Sequence, residues 1–170
     1  LAEFQLSETT YPLIDPGNAD SDFDNLSDGD EVNGTAGLRP ATNPTLPDTD
    51  NDGLDDDVET NTGTYAGPSD TGTNPVVQDG DADGLLDGFE ADNTPTYDPF
   101  VDNSTDDFDM DGLDVSQELA NSTDVLLSDT DGDTLSDGDE VNGTAGDRPA
   151  TDPTLADTDG DSLSDFVETN

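Results

Sequence analysis

Six copies of one 12-residue acidic motif limit what this 170-residue chain can fold into. Each copy has Asp at positions 1, 3 and 5, Leu at position 7 and Glu at position 12, and five of the six have Asp at position 9. Six of the eight Glu in the chain close a copy of the motif, so the acidic residues stand in register and do not form a random acidic tract. The copies span residues 20–31, 48–59, 79–90, 107–118, 129–140 and 157–168.

The composition does not provide an ordinary hydrophobic core. Apolar residues make up 28% of the chain, and 45 acidic residues face two basic ones, which gives a formal charge of −43. Such a chain is disordered unless something balances its charge. Phosphate binding needs Lys and Arg, so we expect no nucleic-acid partner, and no apolar run approaches the roughly 20 residues of a membrane span. Without Cys or His the chain lacks disulfides, thiolate metal sites and the usual general base, and we expect no enzyme.

The spacing of the motif matches the oxygen ligands that Ca²⁺ prefers. In a tightly turned loop, the carboxylates at positions 1, 3 and 5 point at one centre, and the backbone carbonyl of position 7 adds another oxygen. Position 9 acts directly or through water, and the Glu at position 12 binds with both oxygens. Mg²⁺ prefers an octahedron that retains its waters, so we expect about one Ca²⁺ per loop, with two as the alternative. The predicted metal-binding residues are Asp20, Asp22, Asp24, Leu26, Asp28, Glu31; Asp48, Asp50, Asp52, Leu54, Asp56, Glu59; Asp79, Asp81, Asp83, Leu85, Asp87, Glu90; Asp107, Asp109, Asp111, Leu113, Glu118; Asp129, Asp131, Asp133, Leu135, Asp137, Glu140; and Asp157, Asp159, Asp161, Leu163, Asp165, Glu168.

Two positions of the motif vary in ways that affect the predicted sites. Position 6 needs a residue that tolerates positive φ, and it is Gly in the second, third and fourth loops and Asn25 in the first. Thr134 and Ser162 are poorer choices, so we expect strain and weaker binding in the last two loops. Val115 occupies position 9 of the fourth loop, where we expect water to replace the ligand and the affinity to fall.

The flanks of the loops do not fit an EF-hand, which needs a helix on each side. Turn-forming residues such as those at 43–47 precede the loops, and Gly34 and Gly143 limit any exit helix to about two turns. Leu at position 7, together with Asp-Thr-Asp-Gly-Asp-x-Leu-Ser-Asp at 129–137 and 157–165, resembles the thrombospondin type 3 repeat in its Cys-free bacterial form. The resemblance covers residues 18–170. It implies that the Asp and Glu of each loop bind Ca²⁺ and that the chain wraps around its ions with little regular secondary structure.

We therefore predict a mostly irregular, calcium-stabilised tandem repeat array, an elongated rod of six EF-hand-like loops with very short helices. The array occupies residues 18–170, and residues 1–17 form an N-terminal strand or linker. Residues 20–61 recur at 129–170 with 32 of 42 positions identical, so we expect a longer chain with a 109-residue super-repeat. The residues expected to fill gaps between repeats are Tyr65, Val76, Val77, Tyr97, Phe100, Val101, Leu126 and Leu127.

These features predict a structural protein that depends on calcium. Extracellular calcium modules bind with dissociation constants of order 10⁻⁴–10⁻³ M, so we expect a calcium-rigidified stalk, spacer or filament of a secreted or cell-surface protein. Its partners would be calcium, neighbouring repeats and other copies of the chain. The alternative function is a calcium-dependent adhesion module that bridges to glycans, mineral or other chains.

Overall fold

The computed structural model describes residues 14–15, 17–35, 38–143 and 149–169. Irregular backbone and turns dominate these residues, and no strand occurs among them beyond two isolated bridges, Thr35 with Arg39 and Gly67 with Asp70. The expectation of a chain with little regular secondary structure is confirmed. The strand or linker predicted for residues 1–17 lies almost entirely outside the described residues. The helices are α1 (Asp28–Asn33), α2 (Asp87–Asp92), α3 (Val115–Asn121), α4 (Asp137–Asn142) and α5 (Asp165–Thr169).

The chain divides into two compact units, each of which contains three acidic loops. The first unit spans Leu1–Asp102 and the second spans Asn103–Asn170. Every loop in both units is closed by the same backbone hydrogen bond, which runs from the N–H of position 9 to the carbonyl of the residue before position 1, over 2.7–3.1 Å. This bond also forms in the fourth loop, where Val115 donates to Asp106. Loop closure therefore does not depend on the side chain at position 9.

The helices begin at position 9 of their loops and end within two turns. Ser27 and Ser136 cap the N-termini of α1 and α4 by accepting from the N–H three residues on. Gly34 and Gly143 follow the C-termini with φ of 61° and 58°, a conformation that Gly adopts without strain. The short exit helices expected from the sequence are thus present after five loops.

The second loop differs, because no helix follows it within the described residues. Val58 and Glu59 donate instead to the carbonyls of Asp55 and Asp56, three residues back. The chain then turns away at Asn61, whose φ is 53°. A left-handed residue ends a helix, so Asn61 stops the chain after the single turn over residues 55–59. The expectation of a helix after every loop is wrong here.

The buried side chains are mostly carboxylates. Among the described residues, eight apolar side chains are buried, and fourteen Asp and Glu are buried with them. Of the residues expected to fill gaps between repeats, only Tyr97 is fully buried, with its ring 5.4 Å from that of Phe89. Val76, Val77, Phe100, Val101, Leu126 and Leu127 are 36–53% exposed, which corrects that expectation. Carboxyl groups outnumber apolar side chains in the interior instead.

No helix among the described residues is both long and apolar enough to cross a membrane.

Candidate metal centres

The carboxylate at position 1 organises the turn of each loop. In the second loop, Asp48 Oδ1 accepts from the N–H of Asn51 at position 4 over 2.6 Å, and Oδ2 accepts from the N–H of Gly53 at position 6 over 3.1 Å. The third, fourth, fifth and sixth loops repeat both bonds. This carboxylate therefore fixes the backbone around the site as well as facing its centre.

The turn requires two left-handed residues per loop. Position 6 has positive φ in all six loops, as the sequence predicted, including 85° at Thr134 and 81° at Ser162. Position 4 also has positive φ in every loop, which sequence reasoning missed. Each loop from the second to the sixth has Gly at one of the two positions, whereas the first has Phe23 and Asn25. A non-Gly residue in this region costs about 1–2 kcal/mol, so the first loop carries the most strain.

In the second loop, positions 3 and 5 each leave an oxygen without a hydrogen-bond partner. In the second loop, Asp50 Oδ1 accepts from the N–H of Asp52, and Asp52 Oδ1 accepts from the N–H of Leu54, which is at position 7. The Oδ2 atoms of Asp50 and Asp52 are buried and make no hydrogen bond. The Leu at position 7 donates in this way in all six loops, while the predicted role of its carbonyl as a ligand stays a prediction.

The carboxylates at positions 1, 3 and 5 converge. In the first, second and third loops they offer one oxygen each, and these oxygens lie within 4.8 Å of one another. That spacing allows three oxygens to contact one cation, since Ca²⁺–oxygen distances are about 2.3–2.6 Å. The groups are Asp20 with Asp22 and Asp24, Asp48 with Asp50 and Asp52, and Asp79 with Asp81 and Asp83.

The Glu at position 12 is buried in the first five loops, where it is at most 2% exposed. Both oxygens of Glu90 and of Glu118 are buried and make no hydrogen bond. Threonines in the segments that connect consecutive loops orient two other position-12 glutamates. Thr42 Oγ1 donates to Glu31 over 3.2 Å, and Thr151 Oγ1 donates to Glu140 over 2.9 Å. Glu168 in the sixth loop is exposed.

Burial makes these glutamates poor anions unless a cation is near. It raises the pKa of Glu59 and Glu90 to about 9, and neighbouring Asp charges add to the effect. Burial likewise raises the pKa of Glu31 and Glu118 to about 8 and that of Glu140 to about 7. A buried carboxylate needs a proton, a hydrogen-bond donor or a cation. The chain has only two basic residues, so protein side chains cannot supply enough positive charge.

The position-9 carboxylates make different contacts from those expected. Asp56 Oδ1 accepts from the N–H of Thr49 at position 2 of its own loop, and Oδ2 accepts from the Thr49 hydroxyl, over 2.9 and 2.7 Å. The first, fifth and sixth loops have the same pair of bonds from Ser or Thr. In the third loop Gly80 donates only its N–H to Asp87. Val115 replaces this group in the fourth loop with a fully buried apolar side chain.

The position-9 carboxylate also faces the preceding loop. Asp56 lies with Asp24 and Glu31 of the first loop, and Asp87 lies with Asp52 and Glu59 of the second; in each group, one oxygen from every residue lies within 4.8 Å of the others. Motif spacing assigns position 9 to its own loop and does not predict this grouping. The first three loops start 28 and 31 residues apart, and these separations do not indicate which carboxylates of neighbouring loops meet. That depends on how consecutive loops pack.

Position 10 sets how closely consecutive loops approach. A Cβ added to Gly88 would lie 2.4 Å from the carbonyl oxygen of Asp52, and one added to Gly138 would lie 2.2 Å from that of Asp111. Other bonds join the same regions: Gly138 N–H donates to Asp111 Oδ2 over 2.7 Å, and Phe166 N–H donates to Asp133 Oδ2 over 2.8 Å. The start of one exit helix therefore packs on position 5 of the loop before it.

A cavity of about 420 Å³ lies in the first unit, where residues 63–65 approach residues 94–100. Tyr65, Tyr97 and Phe100 form much of its wall, and Tyr65 Oη donates to the carbonyl of Ala91. None of the predicted metal ligands lines this cavity.

Comparison with protein-family models, with curated proteins and with solved structures finds no match to this chain. Its resemblance to the thrombospondin type 3 repeat therefore rests on the loop residues alone.

Proposed function

We propose that this chain is a calcium-binding structural segment in which Ca²⁺ ions occupy the acidic loops and hold them folded. The observation that carries the proposal is the set of buried, unpartnered oxygens at positions 3, 5 and 12, seen at Asp50, Asp52 and Glu90. Oxygens that no protein donor satisfies, in a chain with almost no basic residues, are suited to a hard cation such as Ca²⁺.

Charge balance supports coupling between ion binding and folding. Six Ca²⁺ ions would bring the formal charge from −43 to about −31. Without ions, carboxylates a few ångströms apart repel, and the eight buried apolar side chains of the described residues offer little to oppose them. Binding free energy then acts as folding free energy, as it does in small metal-dependent domains.

We assign the segment to a secreted or cell-surface protein, where it acts as a stalk, spacer or filament element with no catalytic role. Loops of moderate affinity are filled at millimolar extracellular Ca²⁺ and empty at cytosolic levels. The segment would thus become stiff and elongated only outside the cell.

Small-angle X-ray scattering during a titration from chelator to about 10 mM Ca²⁺ tests this function, with Mg²⁺ at the same concentrations as the control. We expect a swollen coil to become a narrower, elongated particle with Ca²⁺ and to change much less with Mg²⁺. Identical scattering curves with and without Ca²⁺ would refute the coupling of folding to calcium.

A calcium-dependent binding module is the second candidate, and the cavity beside Tyr65, Tyr97 and Phe100 favours it. Aromatic walls and a nearby carboxylate, Asp98, suit a sugar ring with hydroxyl groups. Binding of the chain to a glycan array in Ca²⁺, lost on substitution Phe100→Ala, would support this function. If the calcium-loaded chain binds no glycan, the second candidate is refuted and the structural role stands as the proposed function.

A further inference from the structure

Three carboxylates from two different loops meet between the second and third loops. Asp52 and Glu59 come from the second loop and Asp87 from the third, and one oxygen of each lies within 4.8 Å of the other two. We call Asp52, Glu59 and Asp87 the junction group. Asp52 belongs also to the group at positions 1, 3 and 5 of the second loop, so its carboxylate faces both.

The junction group is more deeply buried than the positions that begin the loops. Asp52 is 4% exposed, and Glu59 and Asp87 are fully buried. Asp52 Oδ2 and Asp87 Oδ2 lack a hydrogen-bond partner, and the only protein donor near the Glu59 carboxylate is the hydroxyl of Thr73. Buried charged groups left in this state are strongly destabilising unless a counter-charge is present. The unpartnered oxygens are an observation independent of the clustering, and they point to a missing ligand.

The protein offers no cation of its own for this group. The chain has two basic residues. Arg39 lowers the pKa of Asp56, which belongs to the corresponding group between the first and second loops, although burial dominates and raises it. Arg148 lies outside the described residues. A cation from solvent is therefore the group that can balance Asp52, Glu59 and Asp87.

A sequence difference makes this junction the clearest case. At the first junction, Asp56 has both oxygens engaged by Thr49. In the third loop, Gly80 stands at position 2 in place of Thr or Ser, so Asp87 Oδ2 accepts no hydroxyl and stays unpartnered. Gly88 next to it allows the close approach of the two loops, because any Cβ there would meet the Asp52 carbonyl.

We propose that a Ca²⁺ ion binds Asp52, Glu59 and Asp87 and joins the second loop to the third, in addition to the ions held within those loops. The Asp at position 9 is then a ligand of the junction with the preceding loop and not of its own loop. This inference rests on the proposed function, since it adds a second kind of calcium site to the same array. Asp52 and Glu59 bridge the loop ion and the junction ion.

The first test is the number of ions bound by the wild-type chain, counted by native mass spectrometry and by equilibrium dialysis with radioactive calcium. Six loops that hold one ion each and have no junction sites bind at most six ions, so a count above six is expected. A count of one to six would overturn the junction site and leave the calcium-dependent structural role standing. A count of zero would refute both.

The second test compares Asp87→Asn with Asp92→Asn. Asn keeps the Oδ1 acceptor for the Gly80 N–H but removes the charge, and Asp92 is an exposed residue of α2 that gives a matched loss of charge. During a calcium titration, the NMR amide signals of Gly53 and Gly84 report calcium binding at the second and third loops separately. We expect Asp87→Asn to bind one ion fewer and to weaken the calcium response of Gly53 at least tenfold, with Asp92→Asn unchanged.

The junction site is refuted if Asp87→Asn changes only the response of Gly84, since that result makes position 9 a ligand of its own loop. It is equally refuted if Asp87→Asn binds as many ions as Asp92→Asn. Signals of Gly132 and Gly160 in the second unit serve as an internal reference for calcium binding away from the substituted residue. If Asp87→Asn unfolds the first unit, the wild-type ion count decides the question alone.

Discussion

Substituting Gly88 by Ala tests whether consecutive loops pack as closely as the structure indicates. The added Cβ would lie 2.4 Å from the Asp52 carbonyl oxygen and 3.1 Å from its carbon. Ordinary contact begins near 3.4 Å, so the two loops must separate by about 1 Å, and a backbone carbonyl cannot rotate away as a side chain would. Overpacking of this kind costs about 1–3 kcal/mol.

The matched control is Gly29→Ala, at the same position of α1. There a Cβ would meet only Ser27 Oγ at 3.8 Å, so no close backbone contact opposes the substitution. Ala is about 0.8–1 kcal/mol better than Gly inside a helix, and both variants receive this gain. We therefore expect Gly29→Ala to be stabilised by up to about 1 kcal/mol and Gly88→Ala to be destabilised by up to about 2 kcal/mol.

Urea unfolding in saturating Ca²⁺, followed by tyrosine fluorescence, measures both free energies. Tyr97 is buried and packs against Phe89 of α2, so its signal reports on the helix that carries Gly88. A Gly88→Ala variant as stable as Gly29→Ala would show that the second and third loops do not approach each other as described, and the junction site would lose its geometric basis.

Three further predictions concern the pH dependence of the calcium-free fold, backbone strain in the first loop and the hydroxyl of Thr151. Burial raises the pKa of Glu59 and Glu90 to about 9 from an ordinary 4.5, so the calcium-free fold takes up protons. It is most stable below about pH 4.5 and loses stability as the pH rises towards 9. Dynamic light scattering in chelator should show a smaller particle at pH 4.5 than at pH 9, and equal sizes would contradict the burial of these groups. Phe23→Gly should stabilise the calcium-loaded chain by about 1 kcal/mol in urea unfolding, because it removes a left-handed non-Gly residue, and any loss of stability would contradict the strain. Thr151→Val removes the hydroxyl that donates to Glu140 and should weaken calcium binding at the fifth loop about 3- to 10-fold by calorimetry, with exposed Thr154→Val as the control; equal affinities would show that the bond does not orient Glu140.

The loops could be predicted from the sequence because their determinants are local. Asp at positions 1, 3 and 5 bonds to backbone N–H groups two to five residues away, and such contacts follow directly from spacing. The requirement for positive φ at position 6 was predicted for the same reason. Position 4 was missed because Phe23, Asn51, Ala82 and Met110 share no side-chain property; only the N–H bond to position 1 shows that the backbone there is left-handed.

The contacts between loops could not be predicted in this way. The partners of Asp56 and Asp87 in the preceding loops lie 25 to 35 residues earlier in the sequence, and the connectors between loops vary in length. Position 10 carried a sequence signal for close packing between loops. Gly88 and Gly138 lie in the first turns of α2 and α4, although Gly has a low helix propensity. The need for close backbone approach explains those glycines.

The prediction that apolar residues fill the gaps between repeats was wrong for a related reason. Val, Leu and Phe are predicted to be buried because they are hydrophobic. Val77, Leu127 and Phe100 are exposed, whereas Glu59 and Glu118 are fully buried. Carboxylates occupy most of the interior here, so hydrophobicity alone does not predict which residues are buried.

This arrangement makes the stability of each loop depend on its successor. Glu59 is enclosed by its own loop and by Asp87 of the next, so the second loop is complete only when the third is folded against it. Glu168 of the sixth loop is exposed, whereas Glu59 of the second is fully buried. Local opening needs the least free energy where few buried contacts hold a segment. Calcium should therefore leave the sixth loop before the second, and amide exchange at Gly160 should be faster than at Gly53 when calcium is limiting.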